Sequence, residues 1–221
     1  MATIIRGTVP ATEFALSHTL ETVPAAEFEC ERIVRSGEHS IMPLLWVRAD
    51  DAEAVEDALA ADPTVEAVNR LSSFDDEHLY EMQWIDHVRL LLHMLTNGGA
   101  TVLDAYGRDG RWQLRVLYPN RDHFSTTHEF ADEHGMTFDV ESIREMDGEP
   151  AGRFGLTDAQ HEALTAAAKA GYYEVPREVT LEELADDLGV SHQALSEQLR
   201  RGTCALLEDT LLIGMTNQEG V

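Results

Sequence analysis

The sequence predicts an α+β protein in two parts, a sheet-forming N-terminal region and an all-helical C-terminal region. Three observations carry this. The order strand-helix-strand-strand-helix-strand can be read twice between Thr3 and Ile143. No strand pattern survives after Leu156. Between the two lies Asp147-Gly148-Glu149-Pro150-Ala151-Gly152, a turn-rich stretch that separates differently patterned regions. The expected domains are therefore 1–148 and 149–221.

The first run begins with a strand over Thr3–Val9 and a short helix over Ala11–Leu20. A strand over Glu27–Val34 follows, with Phe28, Cys30, Arg32 and Val34 alternating against Glu27, Glu29, Glu31 and Ile33. Ile41–Val47 is an apolar strand. Asp50–Ala60 spaces Ala52, Val55 and Leu59 on one helical face. Val65–Leu71 closes the run, and a break is expected near Ser72-Ser73.

The second run has a strand over Leu79–Trp84 and a helix over Ile85–Leu95 that ends at Gly98-Gly99. Strands over Ala100–Tyr106 and Trp112–Tyr118 flank Gly107-Arg108-Asp109-Gly110, a hairpin signal. A helix over Pro119–His134 stops at Gly135, and Met136–Ile143 is the last strand. Each run has the order of a ferredoxin-like βαββαβ unit, so the N-terminal region is expected to be two such units in tandem. A single mixed sheet with helices on one face is the alternative.

Composition narrows the setting. Acidic residues outnumber basic ones 41 to 16, giving a net charge of −25. Of the basic residues, 15 are arginine and only Lys169 is lysine. This is the pattern of a protein living in molar salt, where carboxylates hold water and the Debye length falls to about 3 Å. Lysine adds a long apolar stem that such brine makes adhesive. The N-terminus lacks the charged start and apolar middle of a secretory signal, and no apolar run is long enough to span a bilayer. The chain reads as soluble and cytoplasmic. Cys30 and Cys204 read as two reduced thiols, with redox sensing as the alternative.

The C-terminal region carries the functional signal. Thr157 and Asp158 start a helix through Ala170, and Gly171 ends it. Thr180, three residues before Glu183, forms a capping box. Leu181, Leu184, Ala185 and Leu188 make an apolar face, Gly189 supplies the positive φ of a tight turn, and Ser191 caps the next helix. Small Ala185 lets two helices approach, Val190 plugs the corner, and Leu195 and Leu199 point inward. These are the mechanics of a helix-turn-helix, whose second helix enters the major groove of DNA. His192, Gln193, Ser196 and Arg200 are the expected base readers, with Arg177, Thr180 and Arg201 on the phosphate side. Gln193 can pair with adenine and Arg200 with guanine in two-pronged fashion, or Arg200 can clamp phosphate.

The segments Leu156-Thr-Asp-Ala-Gln-His-Glu-Ala-Leu164, Gly171-Tyr-Tyr-Glu-Val-Pro-Arg177, Thr180-Leu-Glu-Glu-Leu-Ala-Asp-Asp-Leu-Gly-Val-Ser191 and Leu199-Arg-Arg-Gly202 resemble the helix-turn-helix of bacterio-opsin-activator-type regulators of haloarchaea. Residues 1 to about 148 more loosely resemble the domain that accompanies this reader. The resemblance implies an archaeal transcription regulator that binds double-stranded DNA. In the linker, Tyr172 and Tyr173 are expected to pack the first helix onto the hairpin, and Pro176 to stiffen it.

One feature opposes a DNA partner. From Thr157 onward there are 12 acidic residues against Lys169, Arg177, Arg200 and Arg201, a poor electrostatic footprint. In brine, however, counterion release drives little, and repulsion is screened as strongly as attraction. Such a reader leans on base-edge contacts and shape.

Other constellations carry less. His123, His128 and His134 share one predicted helix, and His78, His87 and His93 lie near another, but none forms a His-x-x-x-His pair, so no metal or other cofactor is expected. Gly-x-Ser-x-Gly and phosphate loops are absent, and neither Asp104, Asp109 and Asp122 nor the Asp86-His87 pair marks a catalytic site, so no enzyme is expected. Trp46, Trp84, Trp112 and Tyr118 read as core, with a ligand pocket as the alternative. A homodimer is expected, with the run Leu206–Ile213 as a candidate contact, and transcription machinery is a further candidate partner. The effector is open. The competing readings are a protein-interaction adaptor built on the helical hairpin, and a small-molecule-binding regulator or enzyme built on the N-terminal units.

Overall fold

The computed structural model describes residues 1–35, 40–85, 91, 93–94, 98–146 and 155–210. The turn-rich stretch 147–152, His87, most of the expected helix Ile85–Leu95 and residues 211–213 lie outside them. The chain divides into two compact units, Met1–Glu145 and Met146–Val221. Among the described residues, no helix is long and apolar enough to cross a membrane.

The first unit is mixed α and β. Its strands are β1 (Ala2–Pro10), β2 (Glu27–Arg35), β3 (Ser40–Arg48), β4 (Val65–Phe74), β5 (Glu77–Ile85), β6 (Thr101–Arg108), β7 (Arg111–Tyr118) and β8 (Asp139–Met146). Its helices include α1 (Ser17–Thr22), α2 (Ala52–Ala61) and α3 (Arg121–Glu133). Leu91 and Met94, from the expected helix after β5, are helical and buried. Asp51 caps α2 by accepting from Ala54 N at 3.0 Å, and Asn120 caps α3 by accepting from His123 N at 3.0 Å.

Three local expectations need correction. The helix over Ala11–Leu20 is instead a 3-10 turn at Ala11–Glu13 followed by α1, because Leu16 stands in the left-handed region (φ 58°) between them. Ser72-Ser73 is no break: β4 runs through it, pairing Ser72 with Leu79 and Ser73 with His78, and the chain turns at Asp75-Asp76. An edge strand needs no apolar alternation, so the two serines looked like loop. In β2, a bulge between Cys30 and Arg32 resets the phase. Cys30 and Ile33 both pack against the core, whereas strict alternation set them on opposite faces.

All eight strands form one sheet in the order β4-β5-β3-β2-β6-β7-β1-β8. The pairings β4–β5, β5–β3, β3–β2, β2–β6, β6–β7 and β7–β1 are all antiparallel. In a split βαβ unit the first strand lies between the third and the fourth. Here β5 lies between β3 and β4, while β1 lies between β7 and β8. Each run of the chain therefore has its first strand in the other run's half of the sheet. Among the described residues the halves pair at Phe28↔Gly107 and Glu29↔Tyr106.

The helices share one core with one sheet face. Ile5, Phe28, Leu45, Tyr80, Trp84, Trp112 and Tyr118 from the strands are buried with Leu20, Val55, Leu59 and Phe124 from the helices. Trp84 and Trp112 pack edge to face at 5.6 Å, and the Trp112 indole donates to Ala15 O at 2.8 Å. These two tryptophans are core. The opposite face carries Trp46, Glu29, Arg48, Glu77 and Arg115, which alternate with the buried positions.

Candidate nucleic-acid interface

The second unit is built on α4 (Asp158–Lys169), α5 (Leu181–Asp187) and α6 (His192–Thr210). Thr157 and Gln160 close a capping box on α4, and Thr180 and Glu183 close one on α5. The Thr180 N–H donates to Glu183 at 2.8 Å and its hydroxyl at 2.7 Å, while Glu183 N donates back to the Thr180 oxygen at 3.3 Å. The two bonds from Thr180, backbone first, hold the Glu183 carboxyl below the ordinary glutamate range. Ser191 Oγ accepts from Ala194 N at 3.1 Å and caps α6.

Between α5 and α6 the chain reverses tightly. Gly189 has φ 66°, and Val190 N bonds Ala185 O at 3.0 Å. Ala163, Ala167, Leu184, Ala185, Leu195 and Leu199 form a buried cluster, with Tyr172, Val179, Leu181, Leu188 and Val190 packed on it. Gly202 lies on the same stripe of α6, three residues beyond Leu199. A Cβ there would stand 2.7 Å from Leu164 Cδ1 and 3.2 Å from Gln160 Cβ, so the glycine sets how closely α6 approaches α4. Its spacing from Leu195 and Leu199 was the sequence signal for that role, and the pattern reading passed over it.

The structure places the predicted site residues as follows. His192, Gln193 and Arg200 are exposed on α6, and Ser196 is half-buried beside them. His192, Ser196 and Arg200 are spaced i, i+4, i+8, which makes one row along the helix, with Gln193 next to it. Arg200 folds back to donate from Nε to Ser196 O at 3.3 Å. Arg201 is exposed and ion-paired with Glu197 at 2.5 Å, so it does not join that row. Arg177 is exposed in the linker before α5. Thr180 is exposed at the start of α5, but the capping box engages its hydroxyl.

The linker packs less than expected. Tyr172 joins the cluster, whereas Tyr173 is about half exposed, with its ring 5.2 Å from that of Tyr172. The Cys204 thiol donates to Glu208 at 3.4 Å, and that carboxylate raises its pKa, the opposite of what a reactive thiol needs. Among the described residues, no three His, Cys, Asp or Glu side chains converge to hold a metal ion.

Comparison with known proteins identifies both units. A family described as "HTH DNA binding domain" matches residues 156–208, the span of the three helices. A second, described as "GAF and HTH_10 associated domain", matches residues 8–171. The chain belongs to the bacterio-opsin-activator-type helix-turn-helix regulators. Curated proteins are similar to this chain over short stretches. A dimethyl sulfoxide reductase transcriptional activator of Halobacterium salinarum is 50% identical over 46 residues, 21% of this chain and 20% of that protein. A putative transcriptional regulator of Haloferax volcanii is 45% identical over 53 residues, 24% of this chain and 9% of that protein. A second dimethyl sulfoxide reductase transcriptional activator, from Haloferax volcanii, is 50% identical over 44 residues, 20% of this chain and 21% of its own length. The matched stretch thus spans about a fifth or less of each relative. All three come from haloarchaea, in keeping with a chain of net charge −25 and a single lysine.

Proposed function

We propose that this protein is a sequence-specific DNA-binding regulator of transcription that reads duplex DNA with the N-terminal half of α6. The row His192, Ser196 and Arg200 with Gln193 beside it, presented by a helix that α4 and α5 hold in place, carries this reading. Ser191 caps the helix, so its first turn is firm where base edges are read. Arg177 and the first turn of α5 are on the phosphate side, with Thr180 contributing through its position because its hydroxyl is engaged. Arg201 reaches a phosphate on exchanging its Glu197 partner.

Residues 149–221 act as the reader and residues 1–148 as the regulatory domain, read as two ferredoxin-like units that have exchanged first strands. The protein works in the cytoplasm as a homodimer, placing two readers on half-sites one helical turn apart, and passes its signal to the transcription machinery. Acidity is tolerated because the setting is brine, where repulsion is screened over about 3 Å.

The test is binding of the full chain to a mapped promoter site and to scrambled DNA at one high salt concentration. Gln193→Ala is expected to cost about 1–3 kcal/mol at the site and little on scrambled DNA. Wild-type binding that never exceeds the scrambled control overturns the regulator reading. Unchanged specific binding in Gln193→Ala overturns only that residue's role.

A further inference from the structure

The sheet face that carries no helices of its own unit holds an aromatic corner that the DNA-reading function does not use. Trp46 on β3 and Phe74 at the end of β4 have ring centroids 5.9 Å apart, inclined at 45°. Phe74 is 60% exposed, unusual for a phenylalanine, and Trp46 is half-buried. Leu79 pairs with Trp46 across β3–β5, and Leu44, one step along β3, continues the apolar strip.

Carboxylates rim this corner. Glu31 accepts the Trp46 indole N–H at 3.3 Å. Glu29 is the cross-strand partner of Trp46, Glu77 of Phe74 and Glu81 of Leu44. Among the described side chains Arg48 is a nearby cation, and it is committed to Glu27 at 3.1 Å and to Glu77. No ion pair among the described residues engages Glu29, Glu31 or Glu81. The Glu29 carboxyl is pushed up by burial and by Glu77, Asp104 and Glu31, against the pull of Arg48. Among the described side chains of the corner, carboxylates therefore outnumber arginines.

We propose that this corner docks a partner protein through an arginine side chain laid over the Trp46 and Phe74 rings. A planar guanidinium above the pair lies within about 6 Å of both centroids, the range of cation–π attraction, and reaches the rim carboxylates with its edge. A second copy of this chain is disfavoured, because carboxylates would meet carboxylates. Nucleic acid is disfavoured for the same reason. Lysine fits less well than arginine: its compact, strongly hydrated ammonium does not stack on the rings.

The chain supplies its own reporter. Of its three tryptophans, Trp84 and Trp112 are fully buried, so a change in emission on titration reports Trp46. The experiment titrates the full chain, in about 1 M KCl, with a short Gly-Arg-Gly-Arg-Gly peptide and with otherwise identical peptides carrying citrulline or lysine. Saturable quenching by the arginine peptide, at least about tenfold tighter than by either control, is expected, as one lost charged contact of 1.4 kcal/mol is tenfold. Phe74→Leu and Glu31→Gln are each expected to weaken it severalfold while leaving DNA binding unchanged. Equal affinity for arginine and citrulline peptides overturns the proposal, as does undiminished binding in Phe74→Leu. Tighter binding of lysine than arginine overturns it as well.

Discussion

Asp62 accepts both the backbone N–H and the hydroxyl of Thr19, at 2.9 and 2.8 Å, from 43 residues further along the chain. Its other oxygen accepts the N–H and hydroxyl of Thr64, at 3.0 and 2.6 Å. The Thr64 oxygen in turn accepts the N–H of Leu16 at 3.1 Å. This buried carboxylate thus joins the start of α1 to the end of α2 and steadies the left-handed Leu16.

Asp62→Ala strands several buried donors at once. It is expected to destabilise the first unit by about 3 kcal/mol, since each unsatisfied buried group costs roughly 1–3 kcal/mol. Urea melts of the full chain read this directly. A loss within about 0.5 kcal/mol, the range of ordinary surface substitutions, shows that the network does not hold the fold.

Two glycines of the reader are expected to rank differently when changed to alanine. Both have positive φ, 66° at Gly189 and 73° at Gly171. A Cβ at Gly189 meets nothing within 4 Å, whereas one at Gly171 meets Glu178 Cβ at 2.9 Å. Gly189→Ala should cost about 1–2 kcal/mol for the left-handed backbone alone. Gly171→Ala should cost more, because Glu178 must also move. Thermal melts showing the reverse order would contradict the packing described for the linker.

Acid should loosen the start of α5. The Glu183 pKa is depressed in the folded state, so its stabilising contribution is complete above the ordinary glutamate range and is lost as pH falls through the lower folded value. Carbon NMR titration should place the Glu183 inflection below that of exposed glutamates, and Thr180→Ala, which removes the hydroxyl bond but keeps the backbone N–H, should raise it part of the way to theirs. An inflection in the wild type already matching exposed glutamates removes the capping box from the account.

Glu197 restrains Arg201. Glu197→Ala removes one acidic charge near DNA and frees one cation. Affinity for scrambled DNA should rise, and its dependence on the logarithm of salt concentration should steepen by up to about one unit. An unchanged salt slope means Arg201 contacts no phosphate.

The whole fold should be more stable at about 1 M KCl than at about 0.1 M, where repulsion among carboxylates reaches over about 10 Å. Equal or higher melting temperature in dilute salt contradicts the salt-adapted reading of a chain with net charge −25.

Much of this was legible in the residues. Strand positions such as Trp112, Leu114 and Val116 alternate with the polar Arg111, Gln113 and Arg115, and that periodicity is local. Thr180, Glu183, Gly189 and Ser191 announced the helix-turn-helix because caps and tight turns are set by the residues at the turn itself. The pairing of Thr3 with Tyr118 was not legible, because alternation states which face a residue takes and not which strand lies beside it. The β2 bulge was hidden for a related reason. Glu31 looks like any outward residue, and only pairing with β3 shows that one position is skipped. The i, i+4 spacing of Glu197 and Arg201 permits their ion pair, but spacing alone does not fix whether the arginine takes it or turns to a phosphate.

The exchanged first strands also bear on how the chain is made. β1, nine residues long, leaves the ribosome before the other strands of its sheet, yet its partner β7 emerges more than a hundred residues later. At about 5–20 residues per second the wait is on the order of ten seconds. Throughout it the strand Ala2–Pro10, with Ile4, Ile5 and Val9, has no partner beside it in the nascent chain. Translation of this protein therefore passes through a vulnerable interval set by topology, and a truncation anywhere before Tyr118 leaves an orphaned strand at one end and an incomplete sheet at the other.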